Sequence, residues 1–107
     1  MNFGHYIALF FGGAFLFNAI PHVVAAVLGR PFQSPFATPR GEGLSSSTVN
    51  VLWGFFNLVV AWLLLVRTGG LVLHAWDETL AAGLGAFAIS LFAARHFGRF
   101  HGGNTPT

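Results

Sequence analysis

The first 29 residues contain no Asp, Glu, Lys or Arg, and residues 3–28 form one long apolar run. At 1.5 Å per residue a helix over that run measures about 39 Å, enough to cross a ~30 Å hydrocarbon core with some tilt or a kink. The run holds three residues that hydrocarbon tolerates poorly, Asn18, Pro21 and His22. It therefore reads as a membrane span with a polar interruption that something must compensate. Its start, Met1-Asn2-Phe3-Gly4-His5, lacks a basic segment, and the run is longer than the core of a signal peptide, so a retained helix is expected.

The rest of the chain fits the same class. It is 54% hydrophobic and only 7% charged, too little polar surface to coat a water-soluble globule of 107 residues. The five basic residues, Arg30, Arg40, Arg67, Arg95 and Arg99, are scattered between apolar runs, so there is no nucleic-acid footprint. The absence of cysteine excludes disulfides, thiolate metal sites and thiol catalysis.

Two further spans follow. The hydroxyl run Ser45-Ser46-Ser47-Thr48 suits a helix N-cap, predicting a second span over residues 46–67 that Thr68-Gly69-Gly70 ends. A third span is expected over 77–97, with Asp77 and Glu78 at its positive end and Arg95 and His96 at its negative end. Residues 71–76 are too few to span and read as an interfacial turn carrying His74 and Trp76, while 98–107 form a short polar tail. The fold class expected is all-α, a single membrane domain of three transmembrane helices. The first loop and the C-terminal tail share a side that holds four of the five arginines, so the positive-inside rule puts the C-terminus in the cytoplasm and the N-terminus outside.

The first loop, residues 29–45, carries Pro31, Pro35 and Pro39 and cannot be helical throughout. Its apolar residues Phe32, Phe36 and Leu44 hold it against the membrane, as an interfacial anchor or as a lid over the mouth of the bundle.

Helical spacing gathers the polar residues of the spans. Ala14, Asn18, His22 and Ala25 share a face of the first helix; Asn50, Gly54, Asn57 and Ala61 share a face of the second. Antiparallel packing brings Asn18 and Asn57 to one depth. Ala82, Ala86, Ser90 and Ala94 provide a matching small-residue face on the third helix, so that three faces are expected to meet. Pro21 has no N–H, which leaves the Phe17 carbonyl without its helical partner, and Asn57 is the expected donor to it. Phe17, Asn18, His22, Asn50, Asn57 and Ser90 are accordingly the candidate ligand-binding residues.

No catalytic role is expected, because no acid/base pair lies within the spans and no serine sits in a nucleophile motif. The leading expectation is a non-catalytic membrane subunit surrounded by lipid, associating with itself or with partner subunits. A Gly4, Ala8, Gly12 stripe on another side of the first helix is the surplus face for that assembly. Two alternatives remain: a binding site or pathway for a small solute or ion at the level of Asn18, His22 and Asn57, and a haem-binding electron carrier using His22. A protein-ligated zinc site would need more ligands and carboxylates at one level than the chain supplies.

Overall fold

The computed structural model describes residues 2–104. Three helices dominate it: α1 (Phe3–Val27), α2 (Ser47–Trp62, continued by a π-helical segment, Leu63–Thr68) and α3 (Trp76–His101). Each of the three, α2 taken together with its π-helical continuation, is long and apolar enough to cross a membrane.

Local chemistry sets the boundaries. Asn2 caps α1, its side-chain oxygen accepting from the His5 amide at 2.9 Å, and Ser46 caps α2 by accepting from the Val49 amide at 3.1 Å. Asp77 and Glu78 sit in the first turn of α3, as its dipole favours. That helix runs to His101 instead of ending near 97, and Gly102 closes it in the left-handed conformation at φ 75°. The extra turn has a tertiary cause. His101 hydrogen-bonds Gln33 at 2.9 Å and its ring stacks on Phe32, so residues expected in the polar tail are held as helix by the first loop.

The loop between α1 and α2 is more ordered than its prolines alone imply. Phe32–Gln33 (β1) and Leu44–Ser45 (β2) form a two-stranded antiparallel ladder, with Phe32 opposite Ser45 and Gln33 opposite Leu44. Gln33 and Ser34 are buried, and the Ser34 and Ser45 hydroxyls hydrogen-bond each other.

The central helix is α1, packed against α2 on one side and α3 on another, while α2 and α3 scarcely meet. The expected convergence of three small-residue faces is thus corrected to two separate interfaces. On α3 the buried residues are Glu78, Gly85 and Ala86, and Ala94 is exposed. At the α1–α3 crossing a Cβ on Gly13 would collide with the Ala82 carbonyl, and one on Gly85 would collide with the Phe10 carbonyl. The two backbones approach so closely that only glycine fits at either position. The expected surplus stripe is also used within the chain: Ala8 and Gly12 are buried, a Cβ at Gly12 would meet Leu65 at 2.6 Å, and only Gly4 stays exposed.

Candidate functional site

The face of α2 that turns inward is Asn50, Gly54, Asn57 and Ala61, the set read from helical spacing. Gly54 makes the approach possible, since a Cβ there would meet the Val23 side chain at 2.5 Å. Two polar contacts flank it. Toward the middle of the helices the Asn18 amide donates to Asn57 Oδ1 at 3.0 Å, and one turn nearer the loop His22 Nδ1 lies 2.7 Å from Asn50 Oδ1. Asn50 and Asn57 are fully buried and His22 is 2% exposed.

Donor and acceptor roles in the second contact follow from the neighbours. Asn50 Nδ2 is surrounded by three carbonyls, those of Phe32 at 3.2 Å, Ser45 at 3.1 Å and Ser46 at 3.0 Å. An amide nitrogen can only donate to them, so Asn50 Oδ1 faces His22 and accepts from Nδ1–H. One side chain therefore ties α1, the start of α2 and both strands of the loop ladder together. His22 is enclosed edge-on by Phe32 at 5.5 Å, Phe97 at 6.1 Å and Trp53 at 6.3 Å, so a strand, α3 and α2 each supply one wall. Of the loop's two Pro-Phe pairs, Phe32 covers the buried imidazole, whereas Phe36 is 65% exposed beside Trp53. The Trp53 indole N–H is buried and meets no acceptor among the described residues.

The Asn57 amide does not turn to Phe17. It donates to the Trp53 carbonyl of its own helix at 2.8 Å, because its oxygen is oriented by Asn18 and leaves the nitrogen facing back along α2. Phe17 is 42% exposed and lines an outer groove of about 410 Å³ with Gly13, Leu65 and Phe87. Ser90 lies in that same groove, away from Asn57. Of the six candidate residues, Asn18, His22, Asn50 and Asn57 are brought together in two pairs, and Phe17 and Ser90 are not.

Phe32, Trp53 and Phe97, the walls of the imidazole pocket, were not among the sequence candidates. Phe97 closes the expected third span, and nothing in its own helix shows that it meets His22, because that contact depends on how α3 docks on α1. The glycines of the α1–α3 crossing, Gly13 and Gly85, carried a signal, since each stands inside a helix, where glycine costs about 1 kcal/mol relative to alanine unless packing requires it.

The opposite end of the bundle has a polar cluster of its own. Tyr6 donates to Asp77 at 2.7 Å, the Val72 amide donates to Glu78 at 2.9 Å, and His5 Nε2 lies buried 3.9 Å from Glu78 without a hydrogen bond. These acids thus fasten α1 and the 69–75 turn to α3 besides facing a helix dipole. Among the described residues no group of three His, Asp or Glu side chains is arranged to hold a metal ion. No protein-family model matches the chain, and neither curated proteins nor solved structures give a significant match.

Proposed function

We propose that this chain is a non-catalytic integral membrane subunit whose Asn/His seam fixes the pairing of α1 and α2. The observation that carries the reading is mutual satisfaction: Asn18 is paired with Asn57 and His22 with Asn50, and the remaining amide groups of Asn50 and Asn57 reach backbone carbonyls. A seam that binds a solute or ion needs polar groups turned toward an open path, and here the Asn amides and His22 Nδ1 face one another or backbone carbonyls. A haem would have to displace Phe32 or Phe97 to reach the His22 ring. In this reading the N-terminus lies outside and the C-terminus in the cytoplasm, with Arg30, Arg40, Arg95 and Arg99 on the cytoplasmic side.

The subunit associates with itself or with partner chains through the lipid-facing sides of α2 and α3, since the stripe on α1 is already covered. The deciding experiment measures thermal unfolding and particle mass in detergent for the wild type, Asn18→Leu and Asn57→Leu. Lower stability in both variants supports the seam as structural, and unchanged stability and mass overturn it. A purely monomeric wild type in bilayer nanodiscs and in cross-linked membranes overturns the assembly part.

A further inference from the structure

The charges are divided unevenly between the two ends of the molecule. The loop end holds Arg30, Arg40, Arg95 and Arg99 against one acid, Glu42, while the other end holds Arg67 against Asp77 and Glu78. At the loop end Arg95 and Arg99 stand one turn apart on α3 and are both exposed. They border an open cavity of about 600 Å³ together with Phe92, His96 and Asn104. Among the described residues neither guanidinium faces a carboxylate. Arg99 reaches the His96 carbonyl, His96 Nδ1 and the Phe100 ring, and Arg95 makes no hydrogen bond or ion pair among the described residues.

The cavity is built on one side and apolar on the other. The His96 ring is held between Arg99 Nη2, which donates to its Nδ1 at 3.2 Å, and the Gly41 carbonyl, which accepts from its Nε2 at 2.6 Å. Phe92 stacks on the same ring at 5.4 Å and continues the wall toward the apolar body of α3. Two guanidiniums without counter-charges among the described residues, at the end of a span and above a phenyl wall, match a phosphate attached to acyl chains. Arginine suits that partner because its planar fork binds phosphate oxygens in a bidentate manner. The C-terminal end of a helix dipole opposes an anion, so affinity must come from the two arginines themselves.

We infer that the Arg95–Arg99 cavity is a binding site for the headgroup phosphate of an anionic phospholipid. The test is native mass spectrometry of the full chain in a nonionic detergent, titrated with phosphatidylglycerol or with phosphatidylcholine of the same acyl chains. An arginine near a lipid phosphate contributes on the order of fivefold in affinity, so phosphatidylglycerol should bind several-fold better and R95Q/R99Q should lose that preference. R67Q, at the opposite end, should keep it. Equal binding of the two lipids by the wild type overturns the proposal without any variant. It is equally overturned if R95Q/R99Q retains the preference, if R67Q abolishes it, or if glycerol phosphate, which lacks acyl chains, binds as well as phosphatidylglycerol.

Discussion

The two interfaces of α1 are held together by different physics. Against Ser47–Trp62 of α2 the contact is chemical: two side-chain hydrogen bonds, Asn18–Asn57 and His22–Asn50, flank the close approach at Gly54. Against α3 the middle of the contact is steric, with Gly13 and Gly85 letting backbone meet backbone and the Tyr6–Asp77 bond fastening one end. The comparison teaches where each interface is vulnerable. A polar pair can be lost one bond at a time, whereas a glycine crossing admits no added atom.

The largest expected effect therefore comes from Gly85→Leu, whose side chain must push α3 off the Phe10 backbone. We expect a loss of about 3 kcal/mol or more, read by SDS titration with tryptophan fluorescence, and a tolerated leucine would end the close-approach account. Asn50→Leu comes next. It strands His22 Nδ1–H and removes the amide that serves the Phe32 and Ser45 carbonyls, while the Ser46 carbonyl keeps the backbone N–H of residue 50; the cost is about 1–3 kcal/mol, and limited proteolysis should show the 29–45 loop cut faster. If the loop stays protected, its order rests on the His96–Gly41 and His101–Gln33 bonds instead.

A smaller effect sharpens the same contrast. The double-mutant cycle of Asn18→Leu and Asn57→Leu should give a coupling of about 0.6 kcal/mol, the ordinary value for one hydrogen bond between membrane helices. A coupling indistinguishable from zero would move the weight of the α1–α2 contact onto Gly54 and Val23. Smallest of all is Gly83→Ala, since nothing lies within 4 Å of a Cβ at that position. It should be neutral or stabilising by about 0.5 kcal/mol, and a clear destabilisation would show that α3 presents a second packed face.

The seam residues were readable one helix at a time because helical spacing fixes which side chains share a face. Asn50, Gly54, Asn57 and Ala61 are the buried residues of α2 for that reason. Depth placed Asn18 within reach of Asn57, as observed, but the partner of the Asn57 amide was not readable. Asn57 has a donor and an acceptor side, and which of them points to α1 depends on the rotation of α1 about its axis. That rotation puts Asn18, not the Phe17 carbonyl, opposite Asn57. Ser90 failed to join for a related reason: α3 docks on the Gly13 side of α1, which spacing within α3 alone does not disclose.

Hydropathy, periodicity and the hydroxyl run before α2 by themselves determined three helices of membrane-spanning length, the cap of α2 and its inward face. Those properties depend on neighbours within about two turns of the same chain. The tertiary structure decided the rest. It folded the proline-rich loop onto His22 through Phe32, extended α3 to His101 by stacking it on that loop, and turned the small-residue face of the third helix away from the seam, leaving only Phe97 against His22. Each of these outcomes depends on contacts between residues tens of positions apart, such as Gln33 with His101. Only the docked arrangement of the helices brings those pairs together.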